Sequence, residues 1–237
     1  VLSLVKSALT ERTKLIALSH IQYTCGLRMP IKEIVAEAHG MGIPVLVDGA
    51  QGFGHVEVKI KDLGCDFYAL SGQKWLMGPN GTGALYIRRE LRDMLEPMFS
   101  TNSLEAKRES RNRRSLARFS LVSQSPGLLA GFAESVHLAN EIGIRHIEQR
   151  SMSLGNLLRD LVSPVKGCNL LSPTSSESAC GLVTIGLDNW SPEDLATTLQ
   201  ESFNIVVRTV HGPDGVRFST HFFNTEREVE RVVEVLT

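Results

Sequence analysis

Two short apolar runs each end in side chains capable of covalent or proton-transfer chemistry. Val45-Leu46-Val47 is followed by Asp48, Gly49, Ala50 and Gln51, and Phe67-Tyr68-Ala69-Leu70 by Ser71, Gly72, Gln73, Lys74 and Trp75. Both runs are too short for a helix and are bounded by glycine, which predicts buried strands. In a mostly parallel sheet the loops leaving the carboxyl ends of neighbouring strands meet in one crevice. Asp48 and Lys74 are therefore expected to face one pocket.

A carboxylate and an amine so placed suit pyridoxal phosphate (PLP). The cofactor forms an imine with a lysine amine, and a carboxylate beside the pyridine nitrogen keeps that nitrogen protonated so that the ring accepts electrons. Lys74 is then the catalytic amine and Asp48 the pyridinium partner. Gln51 is in reach of the ring hydroxyl, and Ser71 with the amides of Gly72 and Gln73 suits a phosphate. Taken singly, Asp-Gly and Ser-Gly after apolar runs are ordinary turn signals. Their combination carries the reading.

Asp48-Gly49-Ala50-Gln51, the run from Asp66 to Lys74, and the glycine-rich run from Gly78 to Tyr86 resemble the class V aminotransferase group of PLP enzymes. That group includes cysteine desulfurases, selenocysteine lyases, cystine lyases, kynureninases and isopenicillin N epimerase-like proteins. The resemblance can be followed from about Leu15 to the C-terminus. It implies a fold type I, aspartate aminotransferase-like α/β large domain with a mostly parallel sheet, here incomplete, followed by a small α+β domain. It also implies a homodimer with a shared active site and a small amino-acid substrate. By position, Gln22 is a candidate for the ring hydroxyl, and Gln73 stands where many relatives have histidine. Ser123, after Arg118-Phe119, matches a hydroxyl that reaches the phosphate of the neighbouring subunit's cofactor, and Arg217 matches the arginine that grips the substrate carboxylate. A planar guanidinium suits that role.

Two departures narrow the expectation. A persulfide-forming desulfurase needs a mobile thiolate before the carboxylate-binding arginine, and residues 209–215 contain no cysteine. The helical segment at the start leads straight into the first strand, so the N-terminal part of the family's architecture is missing and the chain reads as a fragment or half of a split enzyme.

The chain has 237 residues, 42% of them hydrophobic, and a formal charge of −1, enough for a substantial core and without bulk attraction for nucleic acid or an anionic membrane. No apolar run spans a bilayer and no cationic leader opens the sequence, so a cytoplasmic location is expected. The four cysteines (Cys25, Cys65, Cys168 and Cys180) show no metal-ligand spacing, and neither a metal site nor a disulfide framework is expected.

The division expected is 1–100 for the large-domain portion, 101–120 for a basic linker and 121–237 for the small domain. Helices are expected at 4–10, 31–41, 88–95, 126–141 and 144–161, with strands at 15–18, 45–47, 67–70, 83–87, 181–187, 205–208 and 215–219. The third and fourth strands should pair antiparallel, because about a dozen residues separate the strand leading to Lys74 from Ala84-Leu85-Tyr86, without room for a helix. Ser191-Pro192-Glu193-Asp194 and Asn224-Thr225-Glu226 read as helix starts. The arginines at 107–114 lack interleaved aromatics, which favours a solvated connector over a nucleic-acid patch. Among the histidines, His20 and His211 are the better-placed acid/base candidates; His39, His137 and His146 fall in helical patterns.

Ser71-Gly72-Gln73-Lys74 also fits a Ser-x-x-Lys acylation motif, but the accompanying Ser-Asp-Asn and Lys-Thr-Gly elements are absent. The expected function is a PLP-dependent enzyme acting on an amino acid through a Lys74 imine, of aminotransferase, epimerase or carbon–sulfur lyase type. The alternative is a truncated or split relative serving as a non-catalytic assembly module.

Overall fold

The structure is a computed structural model and describes residues 1–96, 119 and 125–237. The basic segment 107–114, most of the expected linker and Ser123 lie outside the described residues.

The N-terminal half runs α1 (Leu2–Ala8), β1 (Ile16–Ser19), α2 (Ile31–Gly40), β2 (Val45–Asp48), α3 (Ile60–Leu63), β3 (Phe67–Ser71), β4 (Gly83–Ile87) and a 3-10 turn (Arg89–Met94). The four strands form one sheet in sequence order, β1, β2 and β3 parallel and β4 antiparallel to β3. The register sets Ser19 beside Asp48 and Asp48 beside Ala69, so three strand ends open side by side. Amphipathic spacing explains α2: Ile31, Ile34, Val35 and Ala38 fall on one buried face. Ile31, Val35 and Ala38 pack with Val45, Val47 and Tyr68.

The C-terminal half runs α4 (Pro126–Ile142), α5 (Ile144–Val162), β5 (Cys168–Leu170), β6 (Leu182–Leu187), α6 (Pro192–Phe203), β7 (Arg208–Val210), β8 (Gly215–Ser219) and α7 (Glu226–Leu236). Its strands form an antiparallel sheet in the order β5-β6-β8-β7. Leu154, Leu158 and Val162 of α5 close its core with Val183, Ile185, Val216, Phe218, Leu195, Leu199, Val229 and Val232. Ser191 caps α6 by accepting the Asp194 N–H, and Thr225 with Glu228 forms a full capping box on α7.

The strand expected at 205–208 lies instead at Arg208–Val210. Asn204 ends α6 in the left-handed conformation, and the Ile205 N–H returns to Leu199 O, so these residues finish a helix before the strand begins. The short elements α3 and β5 were not expected, and the segment at 88–95 forms a 3-10 turn.

Between the sheets lies a third cluster, in which Ile21, Val56 and Trp75 from the first half meet Cys180 and Leu182 from the second. Polar links reinforce this contact: Thr184 Oγ1 donates to Thr24 O at 2.6 Å, and Ser172 Oγ to Cys25 O at 2.7 Å.

Candidate active site

A cavity of about 380 Å³ opens at the carboxyl ends of β1, β2 and β3, lined by Ser19, Ile21, Tyr23, Asp48, Ala50, Gln51, Lys74, Arg208 and Arg217. Four residues singled out from the sequence therefore converge: Asp48, Gln51, Lys74 and Arg217. The first three leave the parallel sheet, whereas Arg217 comes across from β8.

Asp48 ends the central strand, and its Oδ1 accepts the Ala50 N–H at 2.9 Å. The turn that follows is tight because a Cβ at Gly49 would overlap the buried Tyr68 ring. Gln51 is fixed by its neighbours, since Trp75 Nε1 donates to Gln51 Oε1 at 2.9 Å. An indole is only a donor, so the carbonyl of Gln51 must face it and the amide NH₂ stays available to an acceptor.

Lys74 follows β3 in a turn closed by Gly78 N–H to Gly72 O and Gly72 N–H to Thr82 O, both 2.8 Å. The next residue anchors it: buried Trp75 stacks on His55 with ring centroids 3.5 Å apart and planes at 5°. The carbonyl of Trp75 accepts His221 Nε2–H at 2.9 Å. His55 donates from Nδ1 to Gln51 O and accepts the Gly181 N–H at Nε2, which ties the Lys74 turn to the edge of β6. Burial pushes His55 down to about 3 and also lowers His221, so both rings are neutral at pH 7.

Arg217 donates from Nη1 to Tyr23 O at 2.8 Å, while its buried Nε has no hydrogen-bond partner. Desolvation, then the charge of Arg208, lowers its pKa. Arg208 lies directly opposite Arg217 in the β7–β8 pairing.

Other expectations meet a different geometry. Gln22 is exposed and does not line the cavity; the turn after β1 carries Ile21 and Tyr23 to the wall instead. Ser71 pairs with Gly83 at the end of β3 and Gln73 is exposed, neither on the wall with Lys74. The Gly72 amide is already spent on Thr82 O, which removes it from the expected phosphate set. His20 is buried against Tyr68 OH at 2.9 Å and pushed by desolvation to about 4, so it is a neutral core group and not an acid/base in the cavity. His211 is exposed near Asp214 and Glu193 and does not line the cavity. Cys25 is likewise off the wall.

Sequence reasoning missed Tyr23, Arg208, His55 and the clamp on Trp75. The Arg208-Thr209-Val210 alternation was a usable signal for Arg208; nothing local marked His55.

The donor set fits PLP. A carboxylate stands at the central strand end, a fixed amide keeps its NH₂ available, an amine stands on the neighbouring turn, and a guanidinium with an unpaired buried N–H faces them.

The aminotransferase class-V family model matches residues 1–232. A probable cysteine desulfurase of Methanothermobacter thermautotrophicus is 30% identical over 98% of this chain and 62% of its own length. Isopenicillin N epimerase of Streptomyces clavuligerus is 31% identical over 97% of this chain and 61% of its own length. Among solved structures, the apo cysteine desulfurase of Thermococcus onnurineus NA1 superposes with a TM-score of 0.87 at 28% identity, covering 99% of this chain and 62% of that one. A cystine C–S lyase in complex with cysteine persulfide gives a TM-score of 0.88 at 24% identity, covering 99% and 64%, a likeness of fold. The chain thus spans a little over three-fifths of the relatives it matches. With its family-model match running nearly end to end and a parallel sheet whose strand ends carry Asp48, Gln51 and Lys74, the chain belongs to the class V aminotransferase family.

Proposed function

We propose that the protein is a PLP-dependent enzyme acting on a small amino acid, with Lys74 as the covalent attachment point. The observation that carries this reading is the convergence of Asp48, Gln51, Lys74 and Arg217 on one cavity wall. When bound, PLP supplies an electron sink that acidifies the α-C–H of an attached amino acid. Asp48 holds a proton at the pyridine nitrogen, and the Gln51 NH₂ donates to the ring hydroxyl oxygen. Arg217 orients the substrate carboxylate through paired N–H donors. Lys74 Nζ would remove the substrate's α-proton and return it. Return of the proton to the cofactor carbon would give transamination and to the α-carbon epimerisation, whereas loss of a β-substituent in its place would give lyase chemistry.

Ser71 and Gln73, flanking the Lys74 turn, are assigned to the phosphate, Ser123 to the phosphate of a second copy's cofactor, and Gln22 to the ring hydroxyl. A homodimer with a shared site is part of this reading, and light scattering after size exclusion tests it. The cysteine-free loop 209–215 argues against persulfide chemistry, which needs a thiolate there.

Incubation of the full-length protein with PLP should give a visible absorption band that Lys74→Ala abolishes. A colourless wild-type protein would overturn the proposal and favour a non-catalytic assembly module. An amino-acid panel assayed in parallel for keto acid, sulfide, pyruvate and racemisation assigns the reaction.

A further inference from the structure

Resting on the functional reading above, we propose that Arg208 builds a second anion subsite beside Arg217, so that the substrate is an amino acid bearing a second acidic group. Arg208 and Arg217 are directly opposed across β7 and β8, and both line the cavity. Directly opposed residues of an antiparallel pair project from the same face, with Cα atoms roughly 5 Å apart. Like charges so placed repel unless an anion lies between or before them.

Among the described residues no acidic side chain supplies that anion. The Arg208 guanidinium makes no ion pair or hydrogen bond among the described residues, and Asp48 is the one carboxylate on the wall, at the end of β2 in the other sheet. Arg217 spends one N–H on Tyr23 O and keeps a buried Nε unpaired. Lys74, Arg208 and Arg217 against Asp48 leave the wall with an excess of two positive charges (three minus one). A monocarboxylate satisfies one guanidinium and leaves the other solvated at the cavity mouth. A short dicarboxylic amino acid answers both: its α-carboxylate lies on Arg217 and its distal acid on Arg208, where planar forks can each bind two oxygens. Tyr23, half-exposed on the same wall with its carbonyl bonded by Arg217, suits the intervening carbon chain.

The test begins without cofactor. Calorimetric titration of the full-length protein with succinate and with propionate should show succinate binding at least tenfold more tightly. R208Q should bring succinate to parity with propionate while leaving propionate almost unchanged, and R208K should restore part of the difference. Equal binding of the two acids by the wild type would overturn the proposal, as would an R208Q variant that weakens both alike. The same variants are then mixed with PLP. A normal visible band in R208Q supports the assignment, whereas its loss would place the cofactor phosphate on Arg208 and overturn it. A wild-type protein that prefers succinate but gains no band with PLP would sink the enzymatic reading and leave the subsite standing.

Discussion

The two sheets deliver functional groups to the cavity by different routes. In the parallel sheet Asp48, Gln51 and Lys74 leave from strand ends, so each position depends on where a short strand stops and how its turn is closed. In the antiparallel sheet Arg208 and Arg217 stand on paired strand residues, so their position depends on register. The first arrangement is local and readable; the second needs two segments to find each other. The Trp75 plate, gripped by His55 from one side and His221 from another, is what makes the two a single site.

The largest way to break this comparison is to remove the plate. Trp75→Ala deletes a buried ring together with the His55 stack and the Gln51 bond, and should cost about 3–5 kcal/mol, read as a lower urea midpoint. Trp75→Phe sharpens the point: it keeps most of the packing and drops the indole N–H, so the expected loss is nearer ~1 kcal/mol with Gln51 released. If both variants destabilise equally, the hydrogen bond to Gln51 and not the stacking accounts for what Trp75 contributes.

Acid should act next. His20 at about 4, His55 at about 3 and the lowered His221 all titrate below the ordinary histidine value because burial disfavours the charged ring. The unfolded chain takes up protons first, near pH 6.5, so the folded state is fully favoured above that pH and loses stability as pH falls toward 3–4. A loss on the order of 6 kcal/mol between pH 7 and pH 4, about 3 from each of His20 and His55, is expected from urea unfolding at each pH. His55→Gln should be less stable at pH 7 and show a flatter pH profile. An unchanged slope in that variant would assign the acid sensitivity elsewhere.

The smallest effect belongs to the antiparallel half alone. Thr225→Ala removes the side-chain acceptor of the α7 capping box and should cost ~1 kcal/mol by thermal or urea unfolding, without moving the binding preference expected of Arg208 and Arg217. A change in that preference would show that α7 helps to set the strand register.

Much of the parallel half is legible in the sequence because its signals are short-range. Apolar runs of three to five residues closed by Asp-Gly or Ser-Gly name the strands and the positions of Asp48 and Lys74, and the short Lys74–Ala84 connection dictates an antiparallel return. Gln22 and His20 are both off the cavity wall for a common reason: which side of a chain meets a cavity just past a strand end depends on the turn that follows. Here the Ile21–Arg28 bridge turns Tyr23 inward, while His20 is taken up by Tyr68. Arg217 was visible through its family-like segment, whereas Arg208 was placed at the end of the expected strand and not at its start, because the strand begins only after Asn204 finishes α6.

The sequence by itself determined the alternation of strands and helices, the caps at Ser191 and Thr225, and the identity of the amine and carboxylate, since propensity, capping and turn chemistry act over a few residues. Tertiary structure alone decided that His55 from the first half braces both Trp75 and Gly181, that three histidines are neutral, and that two arginines share one wall. Those facts depend on desolvation and on contacts between segments more than a hundred residues apart, such as His55 with Gly181 and Trp75 with His221. No local pattern encodes them.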